Sequence, residues 1–323
     1  MQPNAGTLFG VKATDTFLGL PSAAVAEFDW AVGIVGAPAA TPYPSVGAYC
    51  AAAPKAIRAA SAAYAATVAH MDFDLGGPIF PSDSVGAADL GDLAYEEAEP
   101  AKNRDRIRDT VRAIVERGAV PVVIGGDDSV PIPVFQAFAG HGPLTLVQID
   151  AHIDWRDEVA GERLGLSSTM RRASEMAQIE RIIQVGQRGI GSARVSDFED
   201  ARRYGVRFVP ASALDGSGTD SVVELVPKGR PVIIDFDCDA LDPAIMPGVI
   251  APTPGGLSYW QAIRILHGVA ARAPVAAFSL VEFMPQRDIA GPRRPDGGAD
   301  SLQRARPDRP PKGVKSRPRE MNG

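Results

Sequence analysis

An apolar run that ends in alternating acidic residues and a histidine carries the clearest chemistry in this sequence. Residues 144–149 are mostly apolar, and Asp150, His152 and Asp154 follow at alternate positions. On an extended backbone, residues two apart point to the same side, so these three side chains would converge. A single imidazole among oxygen ligands suits Mn²⁺ or another fairly hard divalent ion. The run therefore predicts part of a metal site.

A second apolar run repeats this arrangement further along the chain. Residues 231–234 lead into Asp235, Asp237 and Asp239, and an Asp-Pro turn follows at 242–243. Two such strand ends can face one another in a parallel sheet, but their carboxylates would repel unless cations neutralised them. For either run alone, a strand that ends in a solvated acidic loop is the alternative. The two runs together favour a metal cluster.

A third segment has the same character. Apolar residues 121–124 run into a polar turn, Gly-Gly-Asp-Asp-Ser, at 125–129, and the glycines allow close backbone approach. Ligands of open parallel sheets gather outside the carboxyl ends of the strands. Taken alone, this turn could be an ordinary loop. With the other two runs it becomes a third source of ligands.

The elements that must position these residues alternate between strands and helices along the chain. Residues 103–117 have apolar side chains at helical spacing, and Ser258 with Gln261 predicts the capped start of another helix. This alternation is typical of an α/β protein with a parallel sheet covered on both faces. The predicted strands are 31–36, 120–125, 144–150, 181–186, 231–237 and 275–282.

Over about residues 15–290 the sequence resembles the ureohydrolase family, which includes arginase and agmatinase. Residues 150–154 match the family's DAHxD motif, and 237–239 with the Pro and Gly that follow resemble its later metal motif. Segments 36–38, 54–58, 89–92 and 281–282 are similar to other family segments. The implied fold is a three-layer α/β/α domain with a mostly parallel sheet of about eight strands.

The resemblance also implies a reaction and its residues. Family members hydrolyse a guanidinium C–N bond, releasing urea and an amine, at a centre of two Mn²⁺ ions. The implied substrate is a small linear guanidino compound, such as agmatine or a guanidino acid. Asp154 and Glu282 would be catalytic, with Glu282 facing the guanidinium. The implied metal ligands are Asp128, Asp150, His152, Asp154, Asp237 and Asp239.

Three positions depart from the family pattern. Asp128 stands where the family usually has a histidine ligand, and Asp235 stands where its later motif usually begins with Ser or Thr. Leu164 replaces a histidine that is thought to move protons, which a leucine cannot do. With Asp128 the predicted ligands include five carboxylates, one more than two divalent ions neutralise, so a bound water should have a raised pKa.

Composition limits the partners. The formal charge is −6, of which residues 291–323 contribute +5 and residues 1–290 contribute −11, so nucleic-acid binding by the body is not expected. No apolar run reaches about 18 residues and no secretory signal pattern begins the chain, so we expect a cytoplasmic protein without a membrane partner. A homo-oligomer is expected from the family resemblance alone.

The pattern of helices and strands ends near residue 290. Residues 291–323 include six prolines and only five apolar residues, which cannot offset the entropy of ordering. We therefore expect residues 1–290 to form one ureohydrolase-like α/β domain and residues 291–323 to be a disordered tail.

Three functions fit these observations. The first is an agmatinase-like Mn-dependent amidinohydrolase. The second is a metal-binding homologue that has lost catalytic groups, which the replacements at Asp128 and Leu164 favour. The third is a related metal hydrolase, such as a formimino-group hydrolase or a deacetylase of similar architecture. Release of urea would separate the first from the other two.

Overall fold

A single parallel sheet of eight strands organises the chain, in a computed structural model that describes residues 14–80 and 86–288. The strand order is β2-β1-β3-β8-β7-β4-β5-β6, and every pairing is parallel. The strands are β1 (Val32–Ala37), β2 (Ala87–Asp92), β3 (Val120–Gly125), β4 (Leu144–Ile149), β5 (Ile179–Val185), β6 (Arg207–Val209), β7 (Val232–Asp237) and β8 (Val275–Val281).

Helices connect these strands. Two long ones, α2 (Pro100–Glu116) and α8 (Tyr259–Arg272), have starts that the sequence encodes: Pro100 occupies the first turn of α2, and Ser258 with Gln261 forms a complete capping box at α8. The α-helices of the described residues are α1 (Ala53–Ser61), α2 (Pro100–Glu116), α3 (Pro131–Gln136), α4 (Thr169–Ser174), α5 (Val195–Tyr204), α6 (Ala211–Ser217), α7 (Asp220–Leu225) and α8 (Tyr259–Arg272).

Side chains alternate across the sheet and so build a core on each face. Leu146 packs in the core that contains residues of α2, α3 and α4, whereas its neighbour Val147 packs in the core that contains residues of α6, α7 and α8. Such alternation is expected for strands buried on both sides. The predicted three-layer α/β/α architecture is therefore confirmed.

The six strands predicted from apolar runs are all present, and two further strands flank them. β2 and β6 are the edge strands of the sheet. β6 has only three residues, and β2 reads Ala-Ala-Asp-Leu-Gly-Asp, so neither is a continuous apolar run. Edge strands are covered less completely than central ones. They therefore need fewer apolar residues, and the apolar run that identifies a buried strand is absent from them.

Two expectations from the sequence concern the C-terminal tail and membrane-spanning helices. The predicted disordered tail, residues 291–323, lies outside the described residues. Among the helices within 14–80 and 86–288, none has both the length and the apolar composition needed to cross a membrane.

Candidate metal centre

The predicted site residues follow the carboxyl ends of four consecutive strands of the sheet, β3, β8, β7 and β4. Asp128 follows β3 by three residues, Glu282 comes directly after β8, Asp237 ends β7, and Asp150 comes directly after β4. Parallel strands present these ends at one edge of the sheet. The three segments identified in the sequence therefore converge on one region.

Local geometry beyond the strands differs from the expected extended backbone. β4 ends at Ile149, and the chain then bends: the backbone N–H of His152 donates to Oδ1 of Asp150 at 2.6 Å. Asp154 has a φ of 41°, a conformation that costs energy for a residue other than glycine. Asp237 likewise accepts the N–H of Asp239 at 2.6 Å, which starts a short 3-10 helix. Turns, rather than strand alternation, bring these side chains together.

Two groups of three side chains lie close enough to hold a cation. In one, ligand atoms of Asp150, His152 and Asp239 lie within 4.8 Å of one another; in the other, those of Asp128, Asp150 and Asp154 do. Asp150 belongs to both groups, so the two cation positions would share its carboxylate. Asp237 is in neither group of the described residues, although it is buried and the neighbouring carboxylates of Asp239 and Asp150 act on it electrostatically.

The buried carboxylates repel one another, and a bound cation would offset this repulsion. Asp128 is almost fully buried, and neither of its carboxylate oxygens has a hydrogen-bond partner among the described residues. Burial, together with the charges of Asp154 and Asp235, raises the pKa of Asp128 well above its usual range. Burial and neighbouring carboxylates also raise the pKa of Asp154 and Asp237. Oxygen ligands left without partners in a buried acidic cluster fit a divalent ion.

His152 is the one imidazole in this region. Its Nδ1 lies 3.0 Å from Oδ2 of Asp239 and 3.4 Å from Oδ1 of Asp150. Burial alone would lower its pKa, but the hydrogen bonds and charges of these two carboxylates raise the pKa of His152 to about 12. Ligation of a metal requires the neutral imidazole, so binding there would release a proton.

A row of buried polar side chains lies just below the ligands, and only Asp235 among them was identified from the sequence. In register across four adjacent strands, β5, β4, β7 and β8, lie Gln184, Gln148, Asp235 and Ser279, all fully buried. The amide of Gln148 donates to Oδ2 of Asp150 at 2.7 Å and to Oδ2 of Asp154 at 2.8 Å. Gln184 in turn donates to Oε1 of Gln148. A glutamine at the centre of an apolar strand was the available signal, since a buried amide needs polar partners.

Asp235 belongs to the same row and is only half satisfied. The Ser279 hydroxyl donates to its Oδ1 at 2.6 Å, whereas its Oδ2 has no hydrogen-bond partner within the described residues. Burial, in spite of the Ser279 hydrogen bond, raises the pKa of Asp235 to about 7, and the charge of Asp154 adds to the effect.

Glu282 is held from several directions. Its carboxylate accepts the Tyr49 hydroxyl at 2.8 Å to each oxygen and the backbone N–H of Asp128 at 2.9 Å. Its own N–H donates to the carbonyl of Gly126 at 2.8 Å, and its φ is 66°, which is unusual for glutamate. Such strain is characteristic of functional positions. Tyr49 was not identified from the sequence, because nothing near residue 49 marks it.

Gly126 fixes the path of the turn after β3. A Cβ at this position would collide with the carbonyl oxygen of Ala39. The close approach lets Asp127 accept the N–H of Thr41 at 2.6 Å, and Asp127 also accepts the N–H and the hydroxyl of Ser129. The carboxylate of Asp127 is therefore occupied by the loops, whereas a carboxylate oxygen of Asp128 lies within 4.8 Å of ligand atoms of Asp150 and Asp154.

The other histidines offer no replacement for the one absent at Leu164. His70, His141 and His267 are exposed, and none is in either ligand group. Leu164 is partly buried and lines a surface cleft with Glu162 and Arg172, a cleft that no predicted ligand lines.

Comparison with known proteins gives one family. The family model described as "Arginase family" matches residues 31–296 of this chain. The mitochondrial guanidino acid hydrolase of Homo sapiens is 34% identical over 220 residues, which are 65% of this chain and 61% of that protein. The mitochondrial agmatinase of Gallus gallus is 35% identical over 220 residues, which are 65% of this chain and 63% of that protein. The matched part thus spans less than two thirds of these relatives' lengths.

The fold comparison agrees. The solved structure of proclavaminate amidino hydrolase from Streptomyces clavuligerus superposes with a TM-score of 0.76 at 26% sequence identity, covering 87% of this chain and 92% of that one.

Proposed function

Because the chain belongs to the arginase family, we propose that it hydrolyses the guanidino C–N bond of a small linear substrate, such as agmatine or a guanidino acid, to urea and an amine. The observation that carries this proposal is the pair of ligand groups sharing Asp150, with the unpartnered oxygens of Asp128 in one of them. The relatives' names, agmatinase and guanidino acid hydrolase, support the substrate class.

Six side chains would hold the metal pair. Two divalent ions, Mn²⁺ in our proposal, would neutralise all but one of the carboxylate charges and lower the pKa of a bound water, which makes that water a better nucleophile. The proposed ligands are Asp128, Asp150, His152, Asp154, Asp237 and Asp239.

The protein's own residues would position the reaction. Glu282, oriented by Tyr49 and the Asp128 N–H, would accept hydrogen bonds from the cationic guanidinium. The amide of Gln148 fixes one oxygen of Asp154, which is partly buried. Asp154 would accept a proton from the attacking water. The water oxygen bonds to the guanidinium carbon, and the bond from that carbon to the tail nitrogen breaks. Both protons of the water end on the tail nitrogen, the first passed on by Asp154, so that it leaves as an ammonium group and the carbon remains in urea.

A metal-binding homologue without turnover is the second candidate. Leu164 favours it, because a leucine cannot move protons as the family's histidine at that position does. Metal binding would then persist while urea release is lost.

An activity screen separates the two candidates. The Mn²⁺-reconstituted chain should release urea from at least one of agmatine, guanidinobutyrate, guanidinopropionate and arginine. Asp237→Ala should lose most bound metal and urea release, whereas Asp109→Ala, at an exposed position of α2, should keep both. Bound metal without urea would favour the inactive homologue, and formamide released from an added formimino substrate, with no urea from the guanidino panel, would favour a formimino-group hydrolase.

Two further properties stay predictions. A homo-oligomer and a cytoplasmic location are expected from the sequence, and cell fractionation with an antibody to this chain would test the location. Several relatives carry "mitochondrial" in their names, so a mitochondrial signal is the outcome to watch for.

A further inference from the structure

The two ligand groups offer different donor atoms. The group of Asp150, His152 and Asp239 contains an imidazole, whereas the group of Asp128, Asp150 and Asp154 offers carboxylate oxygens alone. Imidazole suits transition metals such as Co²⁺, Fe²⁺ and Zn²⁺, and an all-oxygen set suits hard ions such as Ca²⁺, Mg²⁺ and Mn²⁺. His152 supplies the imidazole of the first group, and the second has none because Asp128 stands where the family usually has a histidine.

The surroundings of Asp128 strengthen this contrast. The largest charge effects on its carboxylate come from other carboxylates, those of Asp154, Asp235, Asp150 and Glu282. Both of its oxygens lack a hydrogen-bond partner in the described part of the chain. Buried carboxylate oxygens without partners are costly unless a cation reaches them. The position beside Asp128 is therefore strongly anionic and open to a ligand.

Asp235 adds a further oxygen to this side. It pairs in register with Gln148 on β4 and with Ser279 on β8, one row below the ligands. Ser279 donates to its Oδ1, and the buried Oδ2 has no hydrogen-bond partner among residues 14–80 and 86–288. A Ser or Thr here, as in the family's usual motif, would supply a hydroxyl without charge. The carboxylate instead increases the negative charge acting on Asp128 and Asp154.

We propose that the two cation positions have different selectivity: the position of Asp128, Asp150 and Asp154, reinforced by Asp235, is a hard-cation position, whereas the position of Asp150, His152 and Asp239 takes a transition metal. This inference rests on the proposed metal centre and deepens it by assigning a separate chemistry to each half. The native metal pair would then be mixed, or be Mn²⁺ in both positions because Mn²⁺ accepts both donor sets.

Displacement of Co²⁺ by Ca²⁺ tests the proposal on the full chain. Metal-free protein is saturated with Co²⁺, excess Ca²⁺ is added, and Co²⁺ is followed by its visible absorption and by elemental analysis after gel filtration. We expect Ca²⁺ to release about half of the bound Co²⁺. Asp128→His should keep most of its Co²⁺, because the new imidazole favours Co²⁺. His152→Gln should bind about half as much Co²⁺ and lose nearly all of it to Ca²⁺.

Asp235 is tested separately in the same assay. Asp235→Asn keeps the shape and the bond with Ser279 but removes the charge, and the Ca²⁺ concentration for half-displacement should rise about tenfold. Asp235→Ser is the second variant in case the first fails to fold, which circular dichroism reports. Asp109→Asn, on the exposed side of α2, controls for a lost carboxylate and should match the wild type.

The outcomes distinguish this inference from the proposed function. If Ca²⁺ releases none or all of the Co²⁺, or if Asp128→His releases as much as the wild type, the selectivity proposal is wrong while a metal centre remains. If Asp235→Asn and Asp235→Ser both match the wild type, Asp235 is not part of the position. If the wild type binds no Co²⁺, no metal centre exists at these residues and the proposed function fails as well.

Discussion

Asp128 gives the site its excess negative charge. With Asp128 included, five carboxylates face the two expected divalent ions, those of Asp128, Asp150, Asp154, Asp237 and Asp239. The excess of one negative charge should raise the pKa of a water bound there and weaken it as a nucleophile.

Replacing Asp128 by histidine removes this excess. We expect Asp128→His to bind Mn²⁺ more tightly or to shift the pH profile of urea release to lower pH. Calorimetric titration with Mn²⁺ and activity measured across pH check the two effects. Asp105→His, an exposed substitution on α2, is the matched control. If metal occupancy and pH profile both stay as in the wild type, Asp128 is not a ligand.

Tyr49 is the residue that orients Glu282. Its hydroxyl is the one side-chain oxygen donor to that carboxylate within the described residues, at 2.8 Å to each oxygen. Tyr49→Phe should lower kcat/KM about tenfold, the equivalent of roughly 1.4 kcal/mol for a hydrogen bond to a charged group. The loss should fall mainly on KM if Glu282 binds the guanidinium. Tyr204→Phe, which removes a hydroxyl bonded at 3.3 Å to the Ile179 carbonyl, should leave the kinetics unchanged. Equal kinetics for both variants would remove Tyr49 from the site.

At the level of single residues, the sequence predicted the candidate metal ligands but not the side chains that hydrogen-bond to the site residues. Asp150, His152 and Asp154 were identifiable because alternating acids and an imidazole after an apolar run are rare without a metal. Gln148 and Ser279 carry no such pattern, and their roles appear only once strand register places them beside Asp150 and Asp235. Tyr49 lies 233 residues from Glu282 along the chain, so no local spacing could connect them.

Among the elements, the contact between α1 and β2 is held by a buried ion pair. Arg58 of α1 donates from Nε and Nη2 to both oxygens of Asp89 at 2.7 and 2.9 Å, and Asp89 also accepts the N–H groups of Phe17 and Gly91. Burial alone would raise the pKa of Asp89, but these hydrogen bonds and the Arg58 charge lower it. Charge thus joins α1 to edge strand β2, which has little apolar content and pairs with β1 in the sheet.

The pH dependence of stability should reveal this pair. Because the folded pKa of Asp89 is lowered, its stabilisation is complete above the ordinary Asp pKa of about 3.9 and is lost as pH falls below it. Asp89→Asn should cost about 3 kcal/mol at neutral pH, since it leaves Arg58 buried without its main partner. Its unfolding free energy should then fall less steeply between about pH 5 and pH 3.

Asp92 offers the control for this measurement. It contacts the same Arg58 but its side chain is 39% exposed, so Asp92→Asn should cost less than about 1 kcal/mol. Urea denaturation of the three proteins across pH measures all of these differences. A slope for Asp89→Asn equal to that of the wild type would contradict the assignment.

Element prediction succeeded where one physical signal dominated. Central strands are buried on both faces and so appear as apolar runs, and α8 begins where its capping box predicts. The buried face of α8 is formed by Ala262, Ile265 and Val269, because the packing partners on the sheet decide which apolar side chains turn inward. The edge strands β2 and β6 lack this signal, and pairing with neighbours defines them instead.

For the whole molecule, one sheet with a core on each face positions every candidate site residue at one edge. The rigid central strands β3, β8, β7 and β4 set the spacing of the carboxylates, and the turns after them complete it. The overall architecture was predictable from the alternation of elements. The strand order was not, because apolar runs do not state which strands are neighbours.

Association of the whole chain is open to direct measurement. We expect a homo-oligomer, on the family resemblance, and light scattering coupled to gel filtration should give a mass that is a multiple of 33.9 kDa. The same measurement at several protein concentrations would show whether the assembly dissociates. A mass of one chain at micromolar concentration would contradict the expectation.

Urea formation by the metal-reconstituted chain decides whether this molecule is an amidinohydrolase. The measurement follows a guanidino-carbon-labelled substrate by ¹³C NMR, with wild type and Asp150→Ala side by side, because Asp150 is shared by both ligand groups. We predict that the guanidino signal converts to that of urea with wild type and Mn²⁺, and that it persists with Asp150→Ala. Unchanged substrate with fully metal-loaded wild type across the guanidino panel, or equal conversion by Asp150→Ala, would contradict the proposed function.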